Sequence, residues 1–344
     1  MDNNYQTDIE AEQARKARRR YLWRTNPAWI IFVFAAWYIL ISGIIGSLPF
    51  QLIAIALRGV ASDGFIFTYE MYLMTLGSVI ILFILTWCFK DNRYIWKSFL
   101  LRKRGPRLEQ QPFEDELADF YGRSRNSVGR LWIGILLGFL TNFVCVLCAL
   151  IHGDIKLYFE AAPSQIPLFI FALVAVCIQS TSEELWCRGF LYQRLHERFP
   201  LWVSVAVNGV LFGLLHVFNP GASVLSIVSI VICGLSYSLL RWYTGSIWVA
   251  MGIHTGWNFT QNYLFGLPNS GLVSQVSLFH LDAANGMSNL IYDFDFGVEG
   301  ALPAILMDAL VGVLCLILAK REGRLGELGL NRPQTMALMR RTEA

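Results

Sequence analysis

The sequence predicts an all-α, polytopic membrane protein of about eight transmembrane helices, with a polar site inside the helix bundle. Three observations carry this. The 344 residues are 55% hydrophobic and only 15% charged, whereas soluble domains carry about 25% charged residues. Apolar runs close to the length a bilayer requires, about 20 residues per helix, recur along the chain. Lys and Arg are confined almost entirely to alternate connecting segments.

Residues 1–27 are polar and form an expected cytoplasmic segment with a basic cluster at Arg15, Lys16, Arg18, Arg19 and Arg20. The apolar run that follows is longer than the core of a cleavable signal, about 7–15 residues. It is therefore expected to persist as the first span, 29–57, with bends at Gly43, Gly46 and Pro49. A second span is expected over 69–89 and a third over 131–151. The fourth, over 166–195, ends in charged residues. Pro200 opens a fifth over 201–218, and the turn Asn219-Pro220-Gly221 leads to a sixth over 222–243. Thr244-Gly245 precedes a seventh over 247–264, and the eighth covers 301–319. Residues 28–319 thus read as one membrane domain, and 320–344 as a cytoplasmic tail.

The charge distribution tests this topology, because cytoplasmic loops should be rich in Lys and Arg. With the N-terminus inside, every Lys and Arg except Arg58 and Lys156 falls on the cytoplasmic side, and 267–300 contains none. Both termini are accordingly expected in the cytoplasm, in a bacterial cytoplasmic (inner) membrane, with the lipid bilayer as the principal partner. The segment 90–130 mixes a basic patch (Arg102, Lys103, Arg104, Arg107) with acids, and reads as a solvated loop beside anionic headgroups. The external segment 267–300 is compatible with an amphipathic surface element or with a cap over the site. No nucleic-acid partner is expected. The seven cysteines lie in or beside apolar runs and read as small buried hydrophobes. Cys145-x-x-Cys148 lacks the second pair that would mark a metal or redox site.

Charge inside the spans is the anomaly. Ser182-Glu183-Glu184-Leu185-Trp186-Cys187-Arg188-Gly189 places two carboxylates and a guanidinium where a helix should still be in hydrocarbon or at its edge. A charge at the centre of a span costs about 2.5–3.5 kcal/mol on insertion scales. Residues four apart share a helix face, so Glu184 and Arg188 are placed to pair, and Glu183 is left with no partner at that spacing. His216 follows Phe212 by one turn, and His254 and Asn258 share a face. Intramembrane polar groups face the bundle interior or a water-filled cavity, so Glu183, His216, His254 and Asn258 are expected to converge. A carboxylate and an imidazole can hold a water and take its proton. A second histidine with an amide can stabilise the oxyanion formed when water adds to a carbonyl. Intramembrane peptide hydrolysis is a coherent chemistry for such a set. No serine or cysteine has the surroundings of a nucleophile.

The trio Glu183-Glu184-x-x-x-Arg188, Phe212-x-x-x-His216 and His254-x-x-x-Asn258 resembles the three motifs of the CPBP family. These are the CAAX-prenyl-protease and bacteriocin-processing membrane proteins, also called the Abi family. The resemblance covers about residues 165–260. It implies an eight-helix intramembrane endopeptidase acting on a membrane-associated or lipidated peptide or protein. It further implies Glu183 as general base, His216 as its partner in orienting water, and His254 with Asn258 as the oxyanion site. Glu184, Arg188 and Phe212 would then be structural support. Members are commonly called metalloproteases, and Glu183, His216 and His254 are the ligand set a catalytic zinc would use. No H-E-x-x-H helix is present, and zinc on those three would leave no separate base but Glu184. Metal-free water activation is the expectation, with zinc the alternative.

Two other function classes are compatible with a polar cavity in a helix bundle. One is a non-catalytic scaffold or immunity protein that binds in the same cavity. The other is a proton-coupled transporter, against which stands the lack of internal symmetry such folds often show. Asp308, in the last span, belongs to none of the motifs and is compatible with facing the cavity or with capping a polar interhelical contact. Substrate, cleavage position and oligomeric state are not encoded in any motif of the chain.

Overall fold

The computed structural model describes residues 26–88, 126–283 and 286–335 continuously, together with isolated positions between 12 and 23 and residue 99. The expected loop 90–130 and the end of the tail lie largely outside the described residues. Among the described residues from 26 onward, eight helical segments follow the order read from the sequence. These are α1 (Pro27–Leu57), α2 (Asp63–Cys88), α3 (Val128–His152), α4 (Pro163–His196), α5 (Leu201–Leu214), α6 (Val224–Thr244), α7 (Ile247–Phe259) and α8 (Leu302–Arg321). Six are long and apolar enough to cross a bilayer. The two that are not, α5 and α7, have 14 and 13 residues, although a π-helical turn, Thr260–Leu264, extends α7. The protein is an integral membrane protein, and its polar site is built on the two short helices and α4.

Local chemistry sets the helix ends. Asn26 accepts from the Ala28 N–H at 3.0 Å ahead of Pro27, and Ser127 and Ser223 cap α3 and α6 in the same way. Such caps satisfy amides that have no partner within the helix. Gly153 and Gly245 close α3 and α6 at φ of 86° and 63°, where other side chains would be strained.

Between helices, glycines allow the backbones to meet. Gly134 and Gly138 of α3 face Gly252 and Gly256 of α7. A Cβ added at Gly138 would lie 2.1 Å from the Ile253 carbonyl oxygen, and one at Gly256 would lie 2.1 Å from that of Ile135. Lipid tails are as apolar as leucine, so spanning helices associate through such close packing. The contact sinks α7 into the bundle: Ile247 and every residue from Val249 to Asn258 are buried.

One feature lies outside the all-α expectation. Residues Ile155–Phe159 (β1) and Phe279–Ala283 (β2) pair antiparallel, with Leu157 opposite Leu281. This pairing ties the segment 267–300 to the end of α3. Its apolar residues Leu267, Tyr292 and Val298 join a core with Cys145, Ala149 and Trp257. Of the two readings of 267–300, the cap is the one the structure shows. All seven cysteines are free thiols.

Replacing Gly138 by Val forces α3 and α7 apart. Overpacking of this kind costs about 1–3 kcal/mol, and thermal unfolding in detergent should show a lowered midpoint. Gly129→Ala is the control: the nearest atom to an added Cβ there is 3.9 Å away, and its midpoint should match wild type.

Candidate active site

A cavity of about 170 Å³ lies among α2, α4, α5, α6, α7 and α8, the turn after α5 and the 267–300 cap. It has room for several waters or a short polar segment of chain. Glu183, His216, His254 and Asn258 all line it. These four side chains, drawn from the three motifs, are therefore gathered around one volume.

Glu184 and Arg188 pair as their spacing requires, at 2.8 Å, with neither side chain exposed. α4 turns π-helical immediately after Glu184, over Leu185–Leu191. The Arg188 guanidinium lies 4.4 Å from the centre of the Phe212 ring and donates to the Gly234 carbonyl at 3.2 Å. Phe212 thus supports the site through the cation as well as through His216. Glu184 is not reserved for Arg188, however. Its Oε1 also lies 3.1 Å from His254 Nδ1. A carboxylate only accepts, so this contact places the hydrogen on Nδ1 and turns Nε2 toward Glu183 Oε2, 3.7 Å away. The imidazole within ion-pair range of Glu183 is that of His254.

Glu183 is held by a neighbour that the motifs do not contain. Gln179 Nε2 donates to Glu183 Oε1 at 2.6 Å, and Gln179 Oε1 accepts from Asn258 Nδ2 at 3.1 Å. One amide thereby locks the carboxylate of α4 to the carboxamide of α7. Glu183 Oε2 is buried without a hydrogen-bond partner. His216 sits in the turn after α5, and its Nδ1 lies 2.9 Å from the Phe212 carbonyl oxygen. A carbonyl cannot donate, so this nitrogen carries the hydrogen and Nε2 is left as an acceptor in the neutral ring.

Three further residues of the cavity wall deserve naming for their chemistry. Gln179 was legible as the i−4 neighbour of Glu183. Glu299, in the short turn Val298–Gly300 of the cap, has no periodic signal that could have marked it. Asp308, which no motif explains, projects from α8 into the same cavity. Glu299 accepts from the backbone N–H of Ser270. Burial pushes its carboxyl up to about 7, against the opposing pull of the Ser270 hydrogen bonds and the nearby His254.

Among the described residues, no three His, Cys, Asp or Glu side chains stand close enough together to hold a metal ion. Glu183, His216 and His254 share the cavity without forming a coordination sphere.

Residues 165–260 match the family described as Rce1-like, type II CAAX prenyl endopeptidase. The resemblance read from the three motifs therefore holds over that segment. An uncharacterized protein, YyaK, of Bacillus subtilis (strain 168) is 31% identical over 167 residues, which cover 45% of this chain and 56% of that protein. The chain thus spans little more than half the length of this relative. No solved structure matches the chain.

Two outcomes are expected. Glu184→Gln removes the charge that Arg188 and His254 share. Losing one partner of a buried pair costs about 3–5 kcal/mol, which should appear as a large drop in thermal midpoint and in yield of folded protein. Glu299 keeps its proton in the folded chain between its ordinary pKa and about 7. Its stabilising contribution is therefore full below the ordinary value and lost as pH rises through about 7. The midpoint of Glu299→Gln minus that of wild type should be greater at about pH 8 than at about pH 5; equal differences would rule out the raised pKa.

Proposed function

We propose that the protein is an intramembrane endopeptidase that hydrolyses a peptide bond with water activated by Glu183. The observation that carries the reading is the buried Glu183 Oε2, which makes no hydrogen bond and faces His254 Nε2 at 3.7 Å, in a cavity shared with His216 and Asn258. Burying a carboxylate oxygen without a hydrogen bond is costly, and a base held ready for a water proton is a use that justifies the cost.

In this scheme water is oriented by Glu183 and by the acceptor Nε2 of His216. Glu183 takes one proton as the oxygen adds to the scissile carbonyl carbon. The oxyanion accepts from Asn258 Nδ2–H and, in the imidazolium form, from His254 Nε2–H. Collapse breaks the C–N bond, and the proton held by Glu183 passes to the leaving nitrogen. Gln179 positions both Glu183 and Asn258, and Glu184 fixes the His254 tautomer. Each step uses groups on the cavity wall, and none requires a metal.

The family description supports a CAAX-type, lipidated C-terminal substrate, with a membrane-associated peptide as the broader class. The distribution of Lys and Arg supports both termini in the cytoplasm of a bacterial cell membrane. A purely binding role explains the cavity less well, since a binder has no use for a base without a hydrogen bond beside an amide donor.

Glu183→Gln should lower cleavage of membrane peptides by about 10²–10⁴-fold with a thermal midpoint no lower than that of wild type. Asn258→Ala should cost about 10²–10³-fold. Wild-type turnover by the Glu183 variant would sink the mechanism. Purified enzyme should keep its activity in excess chelator; loss of activity together with stoichiometric zinc would replace the metal-free scheme.

A further inference from the structure

The hydrolytic scheme leaves two carboxylates of the cavity unused. Glu299 enters from the 267–300 cap and Asp308 from α8, and both line the same cavity as Glu183 and His254. Asp308 is only 3% exposed, and its Oδ1 has no hydrogen-bond partner. The turn that carries Glu299 packs against α8, which carries Asp308. Among the described residues, no Lys or Arg lines this cavity; Arg188, the nearby guanidinium, is taken up by Glu184.

An unpaired carboxylate buried to this degree is strongly unfavourable unless a counter-charge or proton arrives. The walls beside it are aromatic: Trp257 and Tyr237 face the same volume. Ring faces attract ammonium and guanidinium groups when they are withdrawn from water. Acids and aromatic rings together make a receptor for an organic cation, and the volume is too small for a second folded element.

We infer that Glu299 and Asp308 form a recognition subsite that accepts a cationic group of the substrate, an ammonium or guanidinium, beside the scissile bond. What that cation belongs to, a peptide with Lys, Arg or a free amino terminus near the cleavage point, rests on the proteolytic reading. That a cation binds does not. The subsite also gives a reason for carrying two acids whose burial works against stability: substrate supplies the missing charge.

The test has two arms on full-length protein in detergent. In the first, thermal midpoints are recorded with n-hexylammonium and with n-hexanol. The ammonium should raise the wild-type midpoint beyond the effect of the alcohol, and Asp308→Asn and Glu299→Gln should each lose the excess. Equal effects of the two compounds on wild type overturn the subsite, whatever the variants do. In the second arm, a random library of membrane-inserting peptides is digested and the cut sites are read by mass spectrometry. Wild type should enrich Lys or Arg near the cut by roughly tenfold, a modest yield for a desolvated charge pair, and the enrichment should fall toward one in whichever variant folds. Cutting without enrichment overturns the assignment while leaving proteolysis intact. Ammonium binding without any cutting supports the subsite and removes the proteolytic reading instead.

Discussion

A single carboxylate, that of Glu184, holds the site together. It is wholly buried in a membrane-spanning helix, and it accepts from Arg188 on its own helix and from His254 on α7. Taking a carboxylate out of water costs several kcal/mol, and only well-placed partners offset that cost. The partners therefore have no freedom to be elsewhere. Arg188 must lie against Phe212 of α5 and beneath the Gly234 carbonyl of α6, and His254 must present its other nitrogen to Glu183. Four helices are pinned by the need to satisfy one charge.

That arrangement is reachable only because α7 can approach so closely. In lipid, no hydrophobic force separates helix–helix from helix–lipid contact, and small residues allow the backbone contact that decides the matter. Gly134, Gly138, Gly252 and Gly256 remove the side chains that would hold α3 and α7 apart. The result is a short helix buried on every side, able to carry His254 and Asn258 at a depth where lipid would otherwise have to solvate them. The cap completes the enclosure. β1 and β2 hold it to α3, while Asn262 donates to the Leu267 and Leu272 carbonyls and so shapes the stretch that covers the cavity.

The cavity combines two kinds of polar group. Gln179, Asn258 and His216 make hydrogen bonds and set positions. Glu183 Oε2 and Asp308 Oδ1 make none. Buried polar atoms are nearly always satisfied in folded proteins, and unsatisfied ones concentrate where a ligand or reaction supplies the complement. The stable half of the site positions the unstable half, which is the division expected of a preorganised reaction centre.

What the sequence determined by itself was whatever depends on local spacing. Hydropathy marked the helical segments, because a bilayer demands a fixed apolar length, although α5 and α7, with 14 and 13 residues, fall short of that length. The 3.6-residue period placed Glu184 on Arg188 and His254 with Asn258. It would equally have placed Gln179 on Glu183. The tertiary structure alone decided which histidine stands beside Glu183, that Glu184 Oε1 serves two donors, and that the segment 267–300 folds down as a cap through strand pairing. Glu299 and Asp308 reach the cavity from segments far from the three motifs in the chain. These are contacts between groups distant in sequence, set by helix packing and the pairing of buried charge, and no periodicity along the chain records them.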